Sequence, residues 1–323
     1  MGDSARKYDG CRESVKFRRQ YRWQHRLKTD AVDFRRGFGR SIGQLGELFQ
    51  GQIHNGEQYH RCLLSLPCKE LYSYATFDPL GTGPLTVVPA HKLKAKQAVE
   101  LTLEHLGALR IGGVIRVESN IPEAKGYGSS TADCIASAVA AADCLNETLA
   151  EEEIAYLVVE AEVASGSVMF ENCVLFSHRE GIVLEDYGRK LPAIEVLGFD
   201  TNEDMTVCTL DMPAANYSPE EIRQLQGLSV SLRRAIHNHD VELLGRISTE
   251  SACLNQRFLA QRMFYKILDF IHTMGALGVT VAHSGTAAGI LLDPASPRLS
   301  SQVDQISGEL DRLGIERIIH FRT

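Results

Sequence analysis

The chain has 323 residues, a length that suits two domains better than one. Hydrophobic residues make up 44% of it and charged residues 23%, which is typical of globular proteins and excludes a disordered or fibrous chain. The longest apolar run, residues 135–142, is far shorter than the roughly 20 residues that cross a membrane. No apolar segment near the start indicates a secretory signal, so we expect a cytoplasmic protein.

The net charge of −7 is unevenly distributed along the chain. Residues 1–40 contain 12 Lys/Arg and 5 Asp/Glu, whereas the remainder contains 22 and 36. The basic leader, residues 1–35, is either an arm for nucleic acid or membrane surfaces or a solvated extension, and we favour the extension. The acidic remainder would repel a polyanion, so we expect no nucleic-acid and no membrane partner. The eight cysteines lack zinc-site spacing, which favours free, buried thiols.

The predicted elements form two blocks that mix strands and helices. The first block contains loop and strand over 40–53, strands at 72–77 and 85–88, a helix over 92–109, a strand at 114–118, helices over 131–145 and 151–162 (the latter capped near Thr148), and strands at 174–176, 181–184 and 193–197. The second contains a strand at 205–210, helices over 218–238, 241–258 and 264–274, strands at 279–283 and 289–292, a helix over 300–313 and a strand at 316–321. This pattern predicts an α+β protein of two domains with a seam between residues 190 and 215.

The segment 121–133 carries the clearest chemical signal. Gly126 and Gly128 allow successive backbone N–H groups to point inward, and the alanine-rich helix that follows adds free N–H donors and the positive end of its dipole. The next three residues, Ser129, Ser130 and Thr131, add hydroxyls that suit phosphate oxygens or Mg²⁺. Neither a P-loop GxxxxGK[ST] nor a Rossmann GxGxxG is present in the segment. It therefore predicts either an anion-binding loop outside those folds or a plain loop with serine caps.

Three segments resemble the motifs of the GHMP kinases. Residues 122–132 are similar to the central P-x-x-x-G-x-G-S-S-A motif, with Thr131 where the family usually has alanine. Residues 39–47 resemble the N-terminal G-R-x-x-x-x-G-E motif with one extra residue, and 281–289 resemble the C-terminal glycine-rich motif. Within the superfamily, these segments are most similar to the L-threonine kinases of cobalamin biosynthesis.

The resemblance implies a fold and a reaction. The expected fold is a ribosomal protein S5-like, ATP-binding N-terminal domain at 36–200 and a ferredoxin-like C-terminal domain at 201–323. The expected reaction transfers the γ-phosphoryl group of ATP, with Mg²⁺, to the hydroxyl of a small molecule such as L-threonine. Homoserine or another small alcohol is an alternative acceptor, and a catalytically degenerate, ligand-binding regulator is an alternative function. A homodimer is compatible with the resemblance.

The resemblance also assigns site residues. Catalysis falls to Lys125, Ser130 and Glu162, of which Ser130 and Glu162 also hold the metal. The ATP phosphates are assigned to Lys125, Gly126, Tyr127, Gly128, Ser129, Ser130 and Thr131. The acceptor is assigned to Glu47, His283, Ser284 and Gly285.

The carboxylates that follow the phosphate loop are the candidates for the metal ligand and for the general base. Glu160 and Glu162 are two residues apart and cannot share a helix face, and Glu162 fits the resemblance better. Many family members have an aspartate further on as a candidate base, but residues 163–170 contain no carboxylate. Either Glu171 replaces it, or positioning and the phosphate itself handle the proton.

Overall fold

The computed structural model describes residues 34–207 and 215–323. The basic leader up to residue 33 and the second half of the predicted strand at 205–210 lie outside this range, and residues 205–207 form no strand. None of the helices in the described ranges is long and apolar enough to cross a membrane.

The described elements confirm the α+β fold class. In chain order they are β1 (Gly37–His54), β2 (Tyr59–Thr82), β3 (Leu85–Val88), α1 (Leu93–His105), β4 (Ile111–Ser119), α2 (Ser129–Cys144), α3 (Glu151–Glu162), β5 (Val174–Ser177), β6 (Ile182–Asp186), β7 (Glu195–Asp200), α4 (Pro219–Asn238), α5 (Val241–Asn255), α6 (Phe264–Met274), β8 (Gly278–Val281), β9 (Ala287–Leu292), α7 (Leu299–Arg312) and β10 (Ile318–Arg322).

The strands form a mixed sheet in the order β10-β7-β9-β8-β1-β2-β4-β3. β1 pairs with β2 along its whole length, whereas its pairing with β8 is the single pair Glu47↔Val281. The N-terminal and C-terminal strands therefore meet at Glu47. β7 pairs with β9 and β10, so Glu195–Asp200, which the predicted boundary assigns to the N-terminal domain, lies among the C-terminal strands.

The side chain of Leu45 strengthens this junction. It is fully buried, and a Cβ added to Gly198 of β7 would lie 1.9 Å from its Cδ1. A Cβ on Gly289 of β9 would lie 2.6 Å from its Cδ2. Leu45 thus packs on two bare stretches of backbone in neighbouring strands and joins the core of β1, α4 and α5 to the C-terminal strands.

Several predicted boundaries are wrong for local reasons. The α3 cap is Ala150 rather than Thr148, and the Glu153 carboxylate accepts a hydrogen bond from the Ala150 N–H at 2.8 Å. β8 ends at Val281, two residues early, because the Ala282 N–H bonds to the Ala287 carbonyl and closes the intervening loop. β1 is one continuous strand, where loop and strand were expected.

The start of β1 lies against the backbone of α2, and this contact explains why Gly37 and Gly39 have no side chain. A Cβ on Gly37 would lie 2.0 Å from the Ala140 carbonyl oxygen, and one on Gly39 would lie 1.9 Å from that of Ala136. The alanine-rich face of α2 can approach only because both sides lack bulk, and twelve residues of the helix are buried. This contact fixes the position of the helix start at Ser129.

We expect Gly39→Ala to destabilise the fold by about 1–3 kcal/mol, the range for overpacking a tight contact. The matched control is Gly308→Ala, since Gly308 is an exposed residue within α7 whose added Cβ would meet nothing within 4 Å. That control should raise stability by about 0.5–1 kcal/mol. Urea denaturation midpoints of the two variants test this, and equal midpoints would contradict it.

Candidate active site

A cavity of about 340 Å³ lies between the phosphate loop, the start of α1 and the loops after α3, β5 and β8. It brings together these predicted residues: Glu47, Gly126, Gly128, Ser129, Ser130, Thr131, Glu162, His283 and Ser284. Lys125, Tyr127 and Gly285 lie behind the lining. Four segments separated by up to about 240 positions in sequence thus contribute to one site.

The phosphate loop has the backbone that its glycines predict. Gly126 and Gly128 have φ of +93° and +73°, in the left-handed region that favours glycine. Gly128 is also the N-cap of α2 and caps it with no side chain, so the first N–H groups of the helix stay available to an anion. Tyr127 contributes its backbone, because its carbonyl accepts a hydrogen bond from the Gln44 N–H at 3.0 Å.

The C-terminal glycine-rich loop holds the phosphate loop from behind. The carbonyl of Lys125 accepts hydrogen bonds from the N–H groups of Thr286 and Ala287, both at 2.8 Å. Gly285, with φ of +121°, passes so close that a Cβ would lie 2.3 Å from the same carbonyl oxygen. Gly285 therefore supports the phosphate loop through its backbone.

The Lys125 side chain does not point into the cavity. Its ammonium donates to the carbonyls of Asn202, Glu203 and Met205 at 3.2, 2.5 and 2.7 Å and lies 3.3 Å from the Asp200 carboxylate. These contacts join the phosphate loop to the segment after β7. A direct contact between Lys125 and a phosphate, as predicted, would require these bonds to break.

Ser130, Thr131 and Glu162 form a polar cluster on the cavity wall. The Thr131 hydroxyl donates to Glu162 at 2.6 Å, and Glu162 is 4% exposed. Burial raises the pKa of Glu162, opposed by the bond from Thr131. The Ser130 hydroxyl is buried close enough to Glu162 to oppose the rise in its pKa, and it forms no hydrogen bond of ordinary geometry among the described residues. A buried carboxylate beside such a hydroxyl is a donor set suited to a hard cation.

The other two candidate glutamates lie away from this cluster. Glu160 is absent from the cavity lining. The Glu171 carboxylate is exposed and forms an ion pair with Lys190 at 2.5 Å. Of the three, the structure brings only Glu162 to the site.

Glu47 enters the cavity from the centre of β1. It is 1% exposed, and the Gln44 side-chain amide donates to its Oε1 at 2.6 Å. Its Oε2 forms no hydrogen bond of ordinary geometry within the described ranges, although the Ser65 hydroxyl lies close enough to Glu47 to oppose the rise in its pKa. Burial raises the pKa of Glu47 to about 8. Gly166, in the stretch without carboxylates, packs so tightly here that a Cβ would lie 1.8 Å from Gln44 Oε1.

A second histidine, which sequence reasoning missed, faces His283. The rings of His178 and His283 lie 4.6 Å apart, and His283 Nδ1 is 3.0 Å from Gln50 Oε1. His178 is 2% exposed and lines the cavity, and neither of its ring nitrogens has a partner in the described part of the chain. Burial lowers the pKa of both histidines, that of His283 to about 4, so both rings are neutral near pH 7.

A buried ion pair, also missed, lines the cavity. The Lys92 ammonium lies 2.5 Å from Asp133 and 2.6 Å from Glu123, and the Ser73 hydroxyl donates to Asp133 at 2.7 Å. All but Ser73 line the cavity. The pair ties the start of α1 to α2, and no local motif marks it.

Comparison with known proteins identifies related kinases. Models of the GHMP kinase N-terminal and C-terminal domains match residues 94–170 and 232–306. An L-threonine kinase from Citrobacter freundii is 31% identical over 254 residues, 77% of this chain and 83% of the relative. One from Salmonella typhimurium is 29% identical over 271 residues, 82% of this chain and 84% of the relative. The crystal structure of homoserine kinase from Cytophaga hutchinsonii has a TM-score of 0.64 at 14% identity, covering 92% of this chain and 96% of that one.

The chain belongs to the GHMP kinase family, which confirms the predicted family resemblance. It is a phosphotransferase that acts on a hydroxyl group, and its family uses ATP as the phosphoryl donor.

Glu47 gives a pH-dependent stability that Glu47→Gln should remove. The folded chain retains the Glu47 proton up to about pH 8, whereas the unfolded chain releases it near pH 4.5, so folding free energy weakens as pH rises between these values. The slope is up to about 1.4 kcal/mol per pH unit. Urea denaturation from pH 5 to 9 should show a flatter profile for Glu47→Gln than for wild type. Glu171→Gln, at an exposed ion pair, should keep the wild-type slope, and a steep profile in Glu47→Gln would refute the assignment.

Proposed function

We propose that this protein phosphorylates the hydroxyl of L-threonine with ATP, giving O-phospho-L-threonine. The observation that carries the proposal is that one cavity unites the phosphate loop with Glu47 and His283 from the two flanking motifs. The two L-threonine kinases among its relatives support the choice of acceptor. The resemblance of the motifs to the L-threonine kinases of cobalamin biosynthesis supports a place in that pathway, and we propose that the protein acts in the cytoplasm.

The phosphates of ATP would lie over residues 126–131. Backbone N–H groups of the glycine loop and of the first turn of α2 converge there and attract negative charge. Phosphoryl transfer depends mainly on alignment and on stabilising charge spread over the phosphate oxygens. The rigid contact of α2 with Gly37 and Gly39 keeps these donors in place.

Ser130 and Glu162 would hold Mg²⁺. The buried Ser130 hydroxyl and the buried Glu162 carboxylate fit that ion, which prefers oxygen ligands and completes its shell with phosphates and water. Bound there, Mg²⁺ supplies neutralisation of phosphate charge. Thr131 orients Glu162 through its 2.6 Å hydrogen bond.

Glu47 would bind the acceptor and, in its ionised form, accept its hydroxyl proton. Four carboxylates line the cavity in the described ranges. Asp133 and Glu123 are paired with Lys92, and Glu162 is bonded to Thr131. Glu47 keeps one oxygen without a hydrogen bond of ordinary geometry, and its raised pKa suits proton exchange near neutral pH.

The direct test is ADP release from ATP and Mg²⁺ with L-threonine, L-homoserine, L-serine or no acceptor, with the product identified by phosphorus NMR. We expect turnover with L-threonine and a phosphomonoester product. Turnover with L-homoserine or L-serine but not with L-threonine would show that the acceptor is a different amino acid. ATP binding without any turnover would favour a ligand-binding regulator.

Glu162→Gln should lower kcat by about 10²-fold, the scale of losing one well-placed charge-stabilising group, and added Mg²⁺ should restore part of the rate. The control is Glu171→Gln, which removes an exposed ion pair and should leave kcat within about two-fold of wild type.

Steady-state kinetics at several Mg²⁺ concentrations distinguish a metal ligand at Glu162 from a general base at Glu171. A loss in Glu171→Gln that Mg²⁺ does not relieve, together with near-normal Glu162→Gln, would make Glu171 the base and remove Glu162 from the metal site.

A further inference from the structure

The side chain of Lys125 is enclosed by oxygen atoms from the short segment that follows β7. Its ammonium nitrogen lies 3.2, 2.5 and 2.7 Å from the carbonyl oxygens of Asn202, Glu203 and Met205. The carboxylate of Asp200 lies 3.3 Å from the same nitrogen. An ammonium has three donors, and these carbonyls accept all of them. Carbonyl oxygens that converge on one positive charge are also the ligands with which proteins surround K⁺.

The segment that supplies these oxygens forms part of the cavity wall. Thr201 donates its N–H to the Thr286 carbonyl at 2.9 Å, and Val207 donates its N–H to the Ala124 carbonyl at 3.0 Å. Val207 and Ala124 both line the cavity. In the described part of the chain, the hydrogen bonds that join residues 202–206 to residues outside 200–207 are all formed by the Lys125 ammonium. Lys125 therefore holds the middle of this wall.

Removal of the ammonium would leave a group of oxygens without a positive charge. Only 13% of the Lys125 side chain and 12% of the Asp200 side chain are exposed, so solvent ions screen their attraction weakly. Three carbonyl dipoles and a carboxylate would then face one another, and a sheltered charge without a partner costs free energy. Residues 203–206 are exposed, so a small cation has access to these oxygens from the solvent.

We propose that the Lys125 ammonium is a built-in monovalent cation, and that the oxygens around it become a binding site for K⁺ or NH₄⁺ when the side chain is removed. Lys125 is then a positioning residue, which keeps the wall at 201–207 against the phosphate loop without contacting the phosphates. Its backbone is fixed by the N–H groups of Thr286 and Ala287, which bind its carbonyl. The inference rests on the proposed kinase activity only where catalysis is measured.

The first test measures the stability of Lys125→Ala by urea denaturation in KCl, NH₄Cl or tetramethylammonium chloride at one ionic strength. K⁺ and NH₄⁺ should raise the midpoint above that in tetramethylammonium, an ion too large for the oxygen shell. A cation present at about ten times its dissociation constant favours the folded state about ten-fold. Wild type, whose shell is filled, and Lys190→Ala, which removes an exposed ion pair, should lack this cation-specific rise.

The second test measures ATP binding by calorimetry and turnover by ADP release in the same salts. Lys125→Ala should lose about 10–100-fold in kcat/KM for ATP in tetramethylammonium, the scale of charge-assisted hydrogen bonds, and recover part of it in K⁺ or NH₄⁺. Asp200→Asn keeps the shape of the shell but removes its negative charge. Alone, it should lower kcat/KM in the same direction, and added to Lys125→Ala it should abolish the recovery.

Two results would overturn the proposal. A urea midpoint of Lys125→Ala that is the same in the three salts would show that the oxygens hold no cation. A loss of ATP affinity in Lys125→Ala that neither cation relieves, together with wild-type affinity in Asp200→Asn, would place the ammonium on the nucleotide phosphates. Urea midpoints and ATP binding need no acceptor, so both results are obtained even if L-threonine is not phosphorylated.

Discussion

One carbonyl oxygen holds the site together. The carbonyl of Lys125 receives the N–H groups of both Thr286 and Ala287, which fixes the phosphate loop to the start of β9. The close passage of Gly285 is possible only without a side chain, so the C-terminal glycine-rich motif is explained by its contact with the central motif. The cavity exists because these two loops, distant in sequence, are bonded through their backbones.

Burial shifts the pKa values of the acids and of the histidines in the cavity in opposite directions. It favours the neutral form of every group, so it raises the pKa of Glu47 and Glu162 and lowers that of His178 and His283. Negative ligands therefore meet little opposing charge from Glu47 at neutral pH. The positive potential comes instead from the backbone N–H groups at the start of α2, which do not titrate.

The sequence could predict the parts of the site that are local in the chain. Gly126 and Gly128 take the left-handed backbone their pattern requires, and Glu162 lies on α3 with its side chain in the cavity. His178 could not be predicted, because it reaches the site through the pairing of β5 with β2, which no short motif encodes. Lys125 shows the same limit: a lysine in a glycine loop indicates a phosphate contact, but its partners are carbonyls some 80 residues away.

The neutral state of Glu47 gives acceptor binding a link to solution pH. A cation that arrives beside a buried carboxyl lowers its pKa, so an amino acid whose ammonium binds at Glu47 displaces a proton to the solvent below about pH 8. By thermodynamic linkage, its apparent affinity then rises with pH over that range. The heat of such binding includes the ionisation enthalpy of whichever buffer takes up the proton, so the same complex would show different enthalpies in phosphate and in Tris.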